Sequence, residues 1–122
     1  GEEIKTELLK NQAAQNINRY SFWKDVYRIE RIKRSFHPNV IAGFSIFVSN
    51  DESYKNTPKG ASTPFTMEAG VQHSKELDWK GEVAKSTKDK HPKIELEKEY
   101  TIEKWDDVTI ERIVFHYCIV EV

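Results

Sequence analysis

One helix constrains this chain more than any other feature. Across residues 13–35 the apolar side chains fall at helical spacing, but in two stripes. At about 100° per residue, Tyr20, Trp23 and Tyr27 form one stripe. Phe22, Val26, Ile29, Ile32 and Phe36 form the other. A surface helix needs a single apolar stripe. Two stripes call for cover on two sides, a sheet on one and a further layer on the other. His37-Pro38-Asn39 ends the helix, because proline cannot continue the hydrogen-bond ladder. Asn16 and Asn18 mark its expected start, leaving residues 2–10 as a short helical turn or an extended arm.

The cover on one side is legible. Residues 40–48, VIAGFSIFV, are nearly continuous in apolar side chains, which predicts a strand buried on both faces. Residues 112–122, RIVFHYCIVEV, predict a second such strand. Ile and Val together number 20 against 4 Leu, which favours strands in the core. Between these strands lies a loop at 50–64, rich in Asn, Ser, Thr, Lys, Pro and Gly. Shorter strands are predicted at 65–68, 74–79, 94–96 and 99–105, with a charged excursion at 80–93. The expected fold is α/β, bordering on α+β. A long N-terminal helix packs on a mixed β-sheet, with an antiparallel excursion between two buried strands. The 122 residues make a single domain.

Charge and cysteine content exclude several classes. The 19 basic and 20 acidic side chains give a formal net charge of −1. A general polyanion binder carries a positive excess, so any nucleic-acid contact must come from a local patch. Cys118 is the only cysteine. That excludes an intramolecular disulfide and a cysteine-based zinc site, and reads as a small buried hydrophobe. No apolar run approaches the ~18 residues of a membrane span, and GEEIKTELL is too charged for a signal peptide. The expected location is the cytoplasm, with no membrane partner. The chain begins at Gly1 and its only methionine is Met67, so it is expected to be part of a longer product.

Several constellations are candidates for chemistry. Four of the five arginines, Arg19, Arg28, Arg31 and Arg34, lie on the helix with Lys24 and Lys33. They form a phosphate-facing patch, or they complement the helix dipole, with Arg28 pairing to acids in residues 94–111. Asp78-Trp79-Lys80, with an upstream acid such as Asp51, has the minimal layout of a metal-dependent nuclease site. The plainer reading is an exposed strand end. His37, His73, His91 and His116 form no HxH or HxxxH pair, and His116 reads as a hydrogen-bonded core residue. Asn50 and Asp51 follow a buried strand, where open α/β sheets place ligands, or they cap their own turn. No Gly-rich phosphate loop or G-x-S-x-G elbow is present, and no spacing singles out a Ser-His-Asp triad.

Three strings carry a resemblance. They are Lys10-Asn11-Gln12-Ala13-Ala14-Gln15 with Arg19-Tyr20, then Asp25-Val26-Tyr27-Arg28-Ile29-Glu30, then residues 43–51 (GFSIFVSND) with Tyr54. Together they resemble uncharacterised bacterial proteins with a restriction-endonuclease-like, PD-(D/E)XK, core. Leu77-Asp78-Trp79 and residues 100–105 fit that pattern loosely. The resemblance implies that the chain is the C-terminal portion of a larger nuclease-like domain. Its binding residues would be Gln15, Arg19, Tyr20, Asp25, Arg28, Glu30, Asn50, Asp51 and Tyr54. In that superfamily the Asp and the Glu-x-Lys triplet stand on two strands before this helix, and only residues 1–10 precede the helix here. As it stands, then, the chain is expected to lack an assembled catalytic site and any cofactor. Mg²⁺ and DNA would be reached through an intact parent. A homo-oligomer would cover exposed strand edges or the second helix face. Two other readings compete: a complete non-enzymatic scaffold domain, and local nucleic-acid binding through the arginine helix.

Overall fold

The computed structural model describes residues 1–122, with side chains for all but residues 8 and 9. Helix α1 runs over Glu2–Ser35, so the expected turn or arm at 2–10 continues the helix. Glu2 and Glu3 stand in its first turn and Lys33 and Arg34 in its last, each complementing the dipole. Asn16 and Asn18 do not cap it. Asn16 accepts from Ser62 Oγ and Asn18 donates to the Tyr54 hydroxyl.

The strands follow as β1 (Phe44–Ser49), β2 (Gln72–His73), β3 (Glu76–Leu77), β4 (Ile94–Glu95), β5 (Tyr100–Thr101), β6 (Asp106–Ile110) and β7 (Ile113–Glu121). A short helix α2 (Lys85–Lys90) lies in the charged excursion, and 3-10 turns occupy Glu52–Lys55 and Gly60–Phe65. The main sheet has the order β1-β7-β6, and β2–β5 and β3–β4 are separate ribbons. The fold is mixed helix and sheet, and every described pairing is antiparallel. The one long helix precedes all the strands, so no helical crossover sets two strands side by side in parallel. The strand expected at 65–68 is absent, because the 3-10 turn reaches Phe65. The β6 strand was not anticipated, since its opening Asp106-Asp107 looks like a turn.

Two layers of this one chain cover the two helix stripes as far as Ile29, while Ile32 and Phe36 at the C-terminal end stay about half exposed. On the sheet side, Phe22 meets Phe47 edge-on with centroids 6.5 Å apart. Ser45 Oγ donates to the Phe22 carbonyl at 3.1 Å. Gly43 sits so close that a Cβ there would run into Ile29. On the other side, Trp23 is fully buried and its Nε1 donates to the carbonyls of Phe65 and Thr66. Tyr20 stacks on Trp79 at 5.9 Å. Phe65, Met67, Leu77, Ile94 and Ile102 complete the core. This corrects the expectation that another copy covers the second helix face. Residues 60–102 fold back over α1 and bury that face themselves.

The two long strands also depart from expectation, because each is buried on one face only. Ser45, His116, Cys118 and Val120 point inward and are buried. Phe44, Ile46 and Val48 of β1, Ile113 and Ile119 of β7, and Val108 and Ile110 of β6 are 40–59% exposed. The register sets all seven on the same outer face. The β-branched, two-faced composition thus builds a sheet whose inner face is covered where α1 packs on β1 and where Cys118 and Val120 enter the core, and whose outer face is open.

His73 ties the interior to pH. Its Nε2 donates to the Thr66 carbonyl at 2.7 Å, and its buried Nδ1 has no partner. Burial pushes its pKa below the ordinary 6.5, so the unfolded chain takes up this proton more readily than the folded one. Its contribution to stability is complete above about pH 6.5 and is lost as pH falls below it. The expected slope is up to about 1.4 kcal/mol per pH unit. Urea midpoints measured from pH 8 to pH 5 should show it, and His73→Gln should remove that part of the acid sensitivity. An unchanged slope in the variant would refute the assignment.

Candidate functional site

A polar stripe on α1 meets the loop that follows β1. Asp51 organises that loop by capping the Glu52–Lys55 turn, accepting from the Ser53 amide at 2.9 Å. The Asp51 amide donates to Ser49 Oγ at 3.0 Å. Gln15 Nε2 reaches across from the helix to Asp51 Oδ2 at 2.7 Å and Ser53 Oγ at 3.1 Å. Arg19 Nη2 donates to the carbonyls of Ser53 at 3.0 Å and Asn56 at 3.4 Å. Its guanidinium lies 5.2 Å from the Tyr54 ring centroid. The Ser53 hydroxyl holds the Asp51 carboxyl below its usual range, helped by the Ser53 amide, Gln15 and Arg19. Burial lowers the Arg19 pKa, and its Nε has no partner. The result is a carboxylate fixed by Ser53 and Gln15 and a buried cation holding two loop carbonyls, which together latch the loop onto the helix.

Four of the nine expected binding residues therefore come together: Gln15, Arg19, Asp51 and Tyr54. Asn50 is exposed beside them. The other four lie elsewhere. Tyr20 turns into the core, donating its hydroxyl to the Pro92 carbonyl at 2.7 Å, because it belongs to an apolar stripe. Asp25 and Arg28 form an exposed ion pair at 2.8 Å. Glu30 is buried toward the C-terminal end of the helix, where it accepts from the Glu97 amide and the Tyr100 hydroxyl. Arg28 does not reach the acids of residues 94–111. Arg34, two turns further on, pairs with Glu97 instead. Arg31 lies against the Tyr27 ring. The arginines are thus engaged one by one, Arg19 inside the latch and the others against separate neighbours.

Ser53, Asn56 and Asn18 belong to the latch and were not anticipated. Beside them, Gln12, Asn16, Thr57, Pro58 and Lys59 help line a shallow groove of about 220 Å³. The signal that finds it is Gln12, Gln15, Asn16 and Arg19 at i, i+3, i+4 and i+7, a third and polar stripe.

The remaining constellations resolve into structure. Asp78 Oδ1 accepts from the Trp79 amide, and Trp79 is buried in the core. Among the described residues no three His, Cys, Asp or Glu side chains converge as a metal-ligand set. His116 is buried and its Nδ1 contacts Asp107 Oδ1 at 2.6 Å. Ser49 lies opposite His116 in the next strand, but its Oγ is bonded to the Asp51 amide instead. Cys118 is buried, and its thiol is pushed up to about 12 by desolvation. No helix of the described residues is long and apolar enough to cross a membrane. No family model, curated protein or solved structure matches the chain.

Proposed function

We propose that this chain is the helix-and-sheet half of a restriction-endonuclease-like domain. In this reading its open sheet face seats on a second polypeptide layer that brings the acidic metal ligands. The outer face of β1-β7-β6 carries the proposal. Seven apolar side chains there are roughly half exposed, while on the inner face β1 packs against α1 and Cys118 and Val120 of β7 are buried. Strands ~4.8 Å apart and rising ~3.4 Å per residue make this a patch on the order of 400 Å². Singly exposed apolar residues are ordinary, whereas a continuous patch marks an interaction surface. Asp106 and Glu121 stand on the same face at its margins. The seated layer therefore presents an apolar surface with basic residues at its rim. The latch fixes the Asn50-Asp51 loop beyond the end of β1, holding in place four of the residues that the resemblance names.

The test joins this chain to the polypeptide encoded ahead of it in the same gene. The expected findings are strands bearing Asp and Glu-x-Lys there, and Mg²⁺-dependent DNA cleavage by the joined protein. The 122 residues alone should not cleave DNA with Mg²⁺ or Mn²⁺. The double variant Ile46→Lys, Ile119→Lys should release the second layer while leaving the far-ultraviolet spectrum of this chain unchanged. Three outcomes would overturn the proposal. One is an encoded stretch without those strands. Another is cleavage by this chain alone that is lost on Asp78→Ala. The third is a dimer in sedimentation that the double variant dissolves, which would make the occupant a second copy and the chain a scaffold.

A further inference from the structure

The main sheet contains a vacant strand position. β1 flanks β7 along residues 116–121, but β6 flanks its other side only along residues 113–117. Beyond Tyr117, among the described residues, no strand lies on that side. The chain ahead of β6 is drawn away, because Trp105 Nε1 donates to the Met67 carbonyl at 2.8 Å and its ring packs near Phe47.

The register shows which main-chain groups are left open. In an antiparallel pair, alternate residues bond to opposite neighbours. The Val122 amide donates to the Gly43 carbonyl at 2.8 Å. Cys118 and Val120 therefore bond toward β1 with it, while Ile119 and Glu121 turn their N–H and C=O groups toward the vacant side. Two donors and two acceptors face a cleft of about 570 Å³. Its far wall comes from residues 99–106, including Glu99, Tyr100, Glu103, Lys104 and Asp106. The cleft is acidic. Glu99, Glu103, Asp106 and Glu121 line it against one cation, Lys104, which is paired to Asp106 at 3.4 Å.

We propose that this position takes an extended peptide as an added strand, with basic side chains alternating with apolar ones. A segment of four or five residues, at ~3.4 Å each, spans the open stretch beside residues 118–122. It would run antiparallel to β7, in line with β6. Main-chain bonds to Ile119 and Glu121 give the affinity, and the side chains give the selectivity. On the outer face the peptide's basic residues meet Asp106 and Glu121. On the inner face its apolar residues meet Cys118 and Val120, both buried in this structure. The proposal does not rest on the nuclease-like reading: it uses the strand edge and shares only Asp106 and Glu121 with the margin of the outer face.

The test is amide exchange and fluorescence anisotropy with the labelled peptide Lys-Val-Lys-Val-Lys-Val. In the free protein the amides of Ile119 and Glu121 should exchange quickly while those of Cys118 and Val120 are protected. Saturating peptide should protect Ile119 and Glu121. Methylating alternate peptide amides should weaken binding about tenfold, as should raising the salt. Glu103→Lys with Glu121→Lys should do the same. Ile119→Pro removes one donor on the open side without breaking a bond to β1, and it should lower affinity while the sheet stays intact. Ile46→Lys should have no effect, which separates this result from that of the outer face. The proposal is overturned by absent binding, by binding that leaves Ile119 and Glu121 unprotected, or by protection that rises with protein concentration alone.

Discussion

Replacing Trp23 by alanine is expected to cost about 4 kcal/mol of unfolding free energy, the largest single loss in the chain. Trp23 is fully buried. Its ring lies 3.9 Å from His73 and 5.1 Å from Phe22, centroid to centroid. Its Nε1 also serves two carbonyls, those of Phe65 and Thr66. The substitution therefore opens a cavity and leaves two buried acceptors with one partner fewer. Domains of this size hold about 5–15 kcal/mol in total, so the variant should sit near its unfolding midpoint in little or no urea. Trp23→Phe separates the two contributions. It keeps most of the ring and loses only the donor, for about 1–2 kcal/mol. Urea unfolding followed by circular dichroism reads both. A loss under about 1 kcal/mol for the alanine variant would mean that residues 60–102 do not cover the second helix stripe.

That cover is where sequence and structure diverge most usefully. The two stripes were legible because helical periodicity is a local property. Tyr20, Phe22, Trp23 and Val26 are all buried, as the spacing requires. What covers each stripe was not legible, because it depends on where residues 60–102 go. Their strands are only two residues long and carry almost no periodicity. The two long strands were found for the same reason as the helix. Their outer faces were misassigned, because composition tells that a face is apolar and not whether anything lies against it. The latch was half legible. Gln15, Arg19, Asp51 and Tyr54 were named from the resembling strings, and the structure brings them together through Ser53. Glu30 was named as a binding residue too. Its two oxygens are taken up inside the protein, by groups about 70 residues away that no local pattern connects to it.

Removing the Glu30 carboxylate is expected to cost about 3 kcal/mol. Glu30 is 5% exposed. Its oxygens accept from the Glu97 amide at 3.0 Å and from the Tyr100 hydroxyl at 2.7 Å. Glu30→Ala leaves two buried donors without an acceptor. Glu30→Gln keeps the shape and one carbonyl oxygen, and should cost about half as much. Tyr100 supplies a second readout. Burial, with help from Glu30, holds its hydroxyl well above the ordinary 10. A folded-state pKa raised in this way adds stability that is complete below pH 10 and falls as pH rises beyond it. Both variants should therefore bring the Tyr100 titration down, as read by tyrosinate absorbance, and flatten the alkaline loss of stability. Tyr100 also lines the cleft beside Ile119 and Glu121, so Glu30 positions one wall of the vacant strand from the opposite side of that residue. If the glutamine and alanine variants were equally stable and Tyr100 titrated unchanged, Glu30 would not be the anchor that joins this wall to the helix.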